Sequence, residues 1–304
     1  MTRALVVGAG SIGLRHAEVL SRAGYEVALV SSRTDLDWPV FREITSALEE
    51  FAPSYVVIAT QTSLHGPSVD RLAQSGFTGT VLIEKPLAVS PETAKRLPFE
   101  RVGVGFNLRF HPVIERLREV LADTTIHTVE AYAGQHLDTW RPSRSTRAQY
   151  SAVKSQGGGV LRDLSHELDY LRMLLGDCLG VFARGGRLGA VTEDSDDAWG
   201  VVADFDRAPV VTLQLNYLDT NTRRRLVINT SSGTIEADLV AGTLRVNDSV
   251  ETFEVDRNST YRALHTAMMQ PDSAVATIEE ALAVDATIEM IEKSAKEQKW
   301  ITAE

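Results

Sequence analysis

Two residues far apart in the sequence carry side chains suited to moving charge at an oxygen atom, Lys85 and His166. Thr80-Val81-Leu82-Ile83 is apolar and β-branched, follows the turn Gly76-Phe77-Thr78-Gly79, and reads as a short buried strand. Glu84-Lys85-Pro86-Leu87 comes next. Proline fixes its own φ and biases Lys85 towards extended backbone, so the strand ends with an ammonium at its carboxyl end. Ligands bind at that edge of an α/β sheet. An ammonium there can donate a hydrogen bond to an oxygen and stabilise negative charge developing on it. His166 lies in a stretch that reads as one helix from about Val160 to Leu175, opened by Gly157-Gly158-Gly159. Its imidazole titrates near neutral pH and suits general acid–base work. Asp163 lies three residues before it, a helical spacing that faces the ring and can orient it. Asp169, one turn beyond, is read as a second orienter or as an acceptor for a substrate hydroxyl. Taken singly, each has an ordinary reading: a lysine beside a turn, a helix histidine satisfied by its neighbouring aspartates.

The elements that must position these groups begin at the amino terminus. Ala4-Leu5-Val6-Val7 is a buried strand, Gly8-Ala9-Gly10-Ser11-Ile12-Gly13 follows, an amphipathic helix runs to about Ala23, and Glu26-Val27-Ala28-Leu29-Val30 is the next strand. Gly8 permits the tight turn, Gly10 lets a pyrophosphate approach the backbone, and Gly13 lets helix and strand pack closely. The helix start at Ser11 and Ile12 offers free N–H groups and a partial positive charge to phosphates. A strand–glycine turn–helix–strand unit with this spacing is a dinucleotide site. The second strand runs into Ser31-Ser32-Arg33, where a site for a free ribose 2′-hydroxyl would carry an acidic residue. Two hydroxyls and a guanidinium suit a 2′-phosphate. NADP(H) is therefore favoured, and NAD(H) is the alternative, with Asp35 or Asp37 folding back onto the ribose. The alternation continues with a helix over 43–51, a strand over 54–60, a helix from His65, the Lys85 strand, a helix begun by Ser90 as N-cap and Pro91, and a strand over 101–106. This is a doubly wound parallel sheet in residues 1–107.

Residues 108–304 have a different texture. A helix is expected over 112–121, an extended segment over 126–133, and a long irregular stretch over 134–156. Strands over 182–188, 198–205, 210–218, 225–230, 234–238 and 243–246 then alternate with turns, which means an antiparallel sheet. Helices near 257–269 and 275–297 close the chain, the second with a core face at Ile278, Leu282, Ile288 and Ile291. Between Trp140 and Tyr150 stand Arg141, Arg144 and Arg147 with no acid, and no carboxylate appears between Asp138 and Asp163. Long loops tend to be functional. Arginine pairs with phosphate or carboxylate and the aromatic rings offer faces to a sugar or base, so an anionic substrate is expected, a nucleotide sugar or an acidic sugar. The plain alternative is a solvated loop whose arginines pair with acids elsewhere.

The 304 residues suffice for two cores. A net charge of −10 argues against a general nucleic-acid binder. Cys178 is the only cysteine, so no intramolecular disulfide forms and a reducing cytoplasm fits. Met1-Thr2-Arg3 leads straight into the first strand, so no signal peptide is expected, and no apolar run approaches a membrane span. No zinc-like cysteine or histidine cluster is present, and no metal is expected.

Gly10-Ser11-Ile12-Gly13-Leu14-Arg15-His16, Glu84-Lys85-Pro86, Asn107-Leu108-Arg109-Phe110-His111-Pro112 and residues 157–169 together resemble the glucose–fructose oxidoreductase/inositol dehydrogenase/MocA (Gfo/Idh/MocA) family over essentially the whole chain. The resemblance implies a Rossmann domain followed by an α/β domain whose large, open, mostly antiparallel sheet often mediates homo-oligomers. It implies NAD(P)-dependent oxidation or reduction of a sugar, sugar nucleotide, polyol or related carbonyl compound. It carries the motif lysine onto Lys85 and the catalytic histidine onto His166, and sets Thr60, His65 and Glu84 along the cofactor. Arg109, Trp140, Arg141, Arg144, Tyr150 and Asp169 are the substrate candidates. One departure stands out: the family commonly has an aspartate four residues before the histidine, and Arg162 occupies that position here, leaving Asp163 as the substitute acid. Competing functions are a redox-neutral NAD-dependent glycosidase of the same fold and a non-catalytic dinucleotide or sugar sensor.

Overall fold

The computed structural model describes residues 2–140, 150–189, 191–271 and 273–303. They form two compact units, one running to Phe110 and taking in Asp256–Leu282, the other holding His111–Val255 and the chain from Ala283. The expected division at residue 107 is thus crossed by a later segment that returns to the first unit. Its seat is visible at Gly103, where an added Cβ would lie 2.5 Å from both Met268 Sδ and Val275 Cγ1. Val104 forms a β-bridge with Ala276, and Asn107 Nδ2 donates to Thr260 Oγ1 at 2.7 Å.

In the first unit, β1 (Arg3–Val7), β2 (Glu26–Val30), β3 (Val40–Phe41), β4 (Tyr55–Ile58), β5 (Thr80–Ile83) and β6 (Arg101–Val104) make one parallel sheet in the order β3-β2-β1-β4-β5-β6. The central strands are buried along nearly their whole length, which is why their sequences are continuous apolar runs without alternation. Helix α1 (Ser11–Arg22) turns Ala17, Val19 and Leu20 inward, α2 spans Ile44–Phe51, and α3 spans His65–Gln74. Short α4 (Pro91–Ala94) starts as expected, with Thr93 N–H donating to the Ser90 hydroxyl at 3.2 Å. One core runs through Val6, Ala17, Leu20, Leu29, Val57 and Leu82 to Leu264 and Met268 of the returning segment.

The second unit opens with α5 (Pro112–Leu121), β7 (Ile126–Gly134) and the short α6 (Leu137–Trp140). The helix expected over 160–175 is instead two: α7 (Val160–Asp163) and α8 (His166–Leu175), separated where Leu164 takes φ −96° and ψ 26°. Strands β8 (Cys178–Gly186), β9 (Ala198–Phe205), β10 (Ala208–Asn216), β11 (Arg223–Thr230), β12 (Gly233–Asp238), β13 (Thr243–Val246) and β14 (Ser249–Thr252) follow. Helix α9 (Ser259–Met268) belongs to the returning segment, and α10 (Ile278–Glu297) leads to β15 (Ile301–Thr302). Nine strands form one sheet in the order β14-β13-β12-β11-β7-β10-β9-β8-β15. It is mixed: β7 pairs parallel with β10, for example Leu213 with Ala131, and every other pair is antiparallel. Alternation along β10 buries Val211, Leu213 and Leu215 and exposes Thr212 and Gln214, as a sheet with one covered face requires. Among the described residues no helix is long and apolar enough to cross a membrane.

Candidate functional site

The glycine turn of the first unit is built as its spacing predicts. Gly8 has φ +107°, and a Cβ there would lie 2.6 Å from Ala59 O. A Cβ on Gly13 would strike the Gly8 carbonyl, so the helix can approach the strand only with glycine at that place. At Gly10 an added Cβ would meet nothing within 4 Å, which leaves open room over the turn. Gly10 is also the N-cap of α1, with no side-chain capping bond and no acid in the first turn. The helix therefore presents its free N–H groups and partial positive charge to that room, beside Ser11 and Ile12, as a pyrophosphate needs. Thr60, just past β4, adds a buried hydroxyl oxygen without a hydrogen-bond partner among the described residues. An uncapped helix start, open space above a glycine and an orphan hydroxyl fit a dinucleotide.

Past β2, the Ser31 hydroxyl accepts from Arg33 N–H at 3.0 Å. The Arg33 guanidinium holds Asp35 through two bonds of 3.2 and 3.0 Å and reaches Ala9 O at 3.4 Å, at the rim of the glycine turn. Ser32 is exposed. Because β5 pairs with β4, Ile83 opposite Ile58, Glu84 and Lys85 leave the sheet at the same edge as Thr60. Lys85 is half-buried, and its peptide bond to Pro86 is cis. Buried His65 supports this bend: its Nδ1 lies 3.0 Å from Pro86 O and its Nε2 3.3 Å from Thr60 O. Burial lowers its pKa.

Beneath Lys85 is a feature that residue types and spacing did not expose. Glu84 Oε1 contacts His16 Nε2, His16 Nδ1 contacts His265 Nε2, and His265 Nδ1 contacts the Tyr55 hydroxyl, each at 2.9 Å and all buried. The only hint is His16 inside the phrase that follows the glycine turn; nothing in the sequence pairs it with His265.

In the second unit, His166 begins α8 and is half-buried. A turn at Leu164 and Ser165 separates it from Asp163. Asp163 is 5% exposed and accepts from Tyr217 OH at 2.6 Å and Tyr150 OH at 3.1 Å. Tyr217, absent from the candidates, has its pKa pushed well up by burial and by this carboxylate. Arg162 points elsewhere, to Glu292 at 2.6 Å, and Glu167 pairs with Arg224 at 2.6 Å. Asp169 is 1% exposed, so it is not a surface carboxylate. Arg109, a substrate candidate, belongs to the first unit, where it is 4% exposed and binds Glu280 at 2.8 Å; its charge holds the returning segment. Trp140 ends α6, and Arg141 and Arg144 lie outside the described residues.

A glycine turn under an uncapped helix, in a parallel sheet wound on both sides, defines the class of the first unit: an NAD-binding Rossmann fold. The family described as "Oxidoreductase family, NAD-binding Rossmann fold" matches residues 2–98, and the Gfo/Idh/MocA C-terminal domain matches residues 114–236. The chain belongs to the Gfo/Idh/MocA oxidoreductase family. None of the curated proteins matches it in sequence. Solved structures share its fold at low identity. GenD2 from gentamicin A biosynthesis, in complex with NAD, is 23% identical with a TM-score of 0.82, covering 100% of this chain and 96% of its own. Levoglucosan dehydrogenase in complex with NADH is 17% identical with a TM-score of 0.83, covering 100% and 99%. An NAD-binding oxidoreductase from Klebsiella pneumoniae is 17% identical with a TM-score of 0.81, covering 99% and 98%.

Proposed function

We propose that this protein is an NAD(P)-dependent dehydrogenase or reductase acting on a CH–OH or carbonyl carbon of a sugar, sugar nucleotide or polyol. The observation that carries the reading is the shared sheet edge, where Lys85 follows a strand paired with β4, which leads to Thr60, two strands from the glycine turn. Bound nicotinamide supplies or accepts the hydride. Loss of hydride from a carbinol carbon requires its oxygen to lose a proton, and His166 serves as the base that takes it. Lys85 is assigned the hydrogen bond to a reacting oxygen, stabilising the charge that develops there. Asp163, fixed by two tyrosine hydroxyls, is the carboxylate assigned to the acid–base end.

NADP(H) is the favoured cofactor. Arg33 is exposed beside the glycine turn, and a 2′-phosphate there would replace Asp35 as the guanidinium's partner, flanked by the hydroxyls of Ser31 and Ser32. The open face of the second sheet carries Phe182 opposite Val202, both exposed, and serves to pair copies of the chain. The deciding experiment follows the absorbance of reduced nicotinamide with NADP+ and NAD+ against neutral, acidic and nucleotide-linked sugars. Stoichiometric reduction is expected. Glycoside cleavage without net change in the nicotinamide, or no change with any sugar, would refute the proposal.

A further inference from the structure

The buried groups under Lys85 are linked end to end and come from four separate elements: Tyr55 from β4, His265 from α9, His16 from α1 and Glu84 from the end of β5. We propose that Tyr55, His265 and His16 form a one-directional hydrogen-bond chain that fixes the Glu84 carboxylate and, through it, Lys85, which makes His16 and His265 positioning residues for the lysine. The catalytic part of this inference rests on the function proposed above; the chain itself does not.

The direction follows from counting protons. Glu84 Oε2 accepts from Lys85 N–H at 3.2 Å and Oε1 faces His16 Nε2, so Glu84 acts as an acceptor on both oxygens. His16 Nε2 must then carry a proton. With His16 neutral, its Nδ1 accepts from His265 Nε2–H, and His265 Nδ1 accepts from Tyr55 O–H. Every donor points the same way, towards Glu84, and no step needs a charged imidazole. A second arrangement, with His16 doubly protonated, would make His265 donate to the Tyr55 oxygen and would place a cation against a second imidazole in a buried site. Burial holds His265 far towards its neutral form. Tyr261 meets the His16 ring edge-on at 5.3 Å, and the Arg15 guanidinium lies 5.3 Å from the Tyr261 centroid.

The carboxylate has one seat. A Cβ at Gly105 would lie 2.7 Å from Glu84 Oε1, so glycine there is what allows the side chain to lie flat against the backbone. Held at that seat by His16, Glu84 accepts through Oε2 from the amide of the residue that carries the ammonium. Within the returning segment Asp256–Leu282, His265 bonds both Tyr55 and His16.

The test uses the full chain with 15N-labelled histidine, signals being assigned with His16→Gln and His265→Gln. In the wild type both rings are expected neutral with the proton on Nε2. Glu84→Gln replaces an acceptor by an amide that can donate, so both rings should invert and carry the proton on Nδ1, including His265, which does not touch residue 84. A wild type with the proton of either ring on Nδ1, or a Glu84→Gln protein with His265 unchanged, overturns the chain. His265→Phe keeps ring volume and cuts the chain at its middle. It should lower kcat about ten- to hundredfold through misplacement of Lys85 while the KM for nicotinamide stays within about twofold. An unchanged kcat overturns the positioning role. Should the wild type show no nicotinamide turnover at all, the proposed function fails, and solvent exchange of the Lys85 amide decides in its place: it speeds up in His265→Phe if Glu84 is held through the chain and does not if it is held locally.

Discussion

Residues 8–13 and residues 157–169 both place glycines before a helix, and the two helices begin in opposite states. At α1 nothing from the chain caps the exposed N–H groups, and the space over Gly10 is open. At α7 the corresponding groups are already satisfied by Asp196, whose main-chain oxygen accepts from Val160 N–H at 3.0 Å and whose Oδ2 accepts from Leu161 N–H at 3.0 Å and from Trp199 Nε1–H at 2.7 Å. The first turn is a place for an anion; the second is filled by the protein's own. A glycine-led helix becomes a binding site when the rest of the fold leaves its donors unused, and that property belongs to distant residues and not to the motif.

The largest effects should separate the two regions. His166→Asn is expected to lower turnover by about 10²- to 10⁴-fold, the usual worth of a positioned acid–base group, while nicotinamide affinity measured by protein-fluorescence quenching stays unchanged. Gly10→Val should do the reverse. Its side chain enters empty space, so the thermal midpoint holds, but it takes the volume the pyrophosphate needs, and loss of one or two charge-assisted bonds weakens cofactor binding about ten- to hundredfold or more. If His166→Asn weakened the cofactor as much as Gly10→Val, the assignment of separate roles to the two regions would fail.

The comparison also explains what could be read in the residues beforehand. The parallel sheet, the glycine turn and the ends of β2 and β5 were legible because each depends on contacts within a few residues: apolar runs, a positive φ at Gly8, a proline after Lys85. The break between Asp163 and His166 was not legible. Periodicity across 160–175 is continuous, and the helix is interrupted where Asp163 reaches Tyr217 and Tyr150 on one side and Glu167 reaches Arg224 on the other, partners up to 57 residues away. The same holds for the return of Asp256–Leu282 to the first unit and for Arg109, whose phrase fitted a substrate role and whose charge serves an ion pair with Glu280. Family membership pointed to the residues; only packing decided what each one touches.

Stability should divide along the same line. Asp196→Ala removes the cap of α7 and the Trp199 partner together, an expected loss of about 2–3 kcal/mol in chemical denaturation followed by tryptophan fluorescence. Tyr217→Phe leaves buried Asp163 short of its closest donor, at about 1–3 kcal/mol. Tyr150→Phe, with the longer bond and a half-buried ring, should cost less. Equal losses for the two tyrosines would mean that the carboxylate is held otherwise.

Acid should act on both units through histidines kept neutral by burial. His65 and His265 in the first unit have lowered pKa values, and His111 in the second is lowered to about 4. Below about pH 6.5 the unfolded chain takes up protons that the folded chain refuses, so stability is complete above that value and falls as the pH drops, by up to about 1.4 kcal/mol per pH unit for each such histidine. Asp196, whose pKa is raised by burial, works in the opposite sense at lower pH. Denaturation midpoints between pH 7.5 and 5 should therefore decline steadily, and His111→Phe should flatten the decline in the second unit's transition. A flat profile in the wild type would mean that these imidazoles are charged in the fold.

The smallest effect lies at the rim of the glycine turn. Arg33 and Asp35 are both exposed, and an exposed pair contributes little to the fold, so Asp35→Asn should leave stability untouched. It removes the anion that competes with a 2′-phosphate for the guanidinium. The ratio of kcat/KM for NADP+ over NAD+ should rise about two- to fivefold, and the rise should vanish at high salt, since both interactions lie in solvent. Arg33→Ala should move the ratio the other way. The opposite outcome is equally readable: if Asp35 holds the ribose hydroxyls, Asp35→Asn weakens NAD+ alone. The ratio would again rise, but through a fall in the NAD+ value with no gain for NADP+. Measuring the two constants separately, at two ionic strengths, distinguishes a guanidinium released for phosphate from a carboxylate lost to ribose.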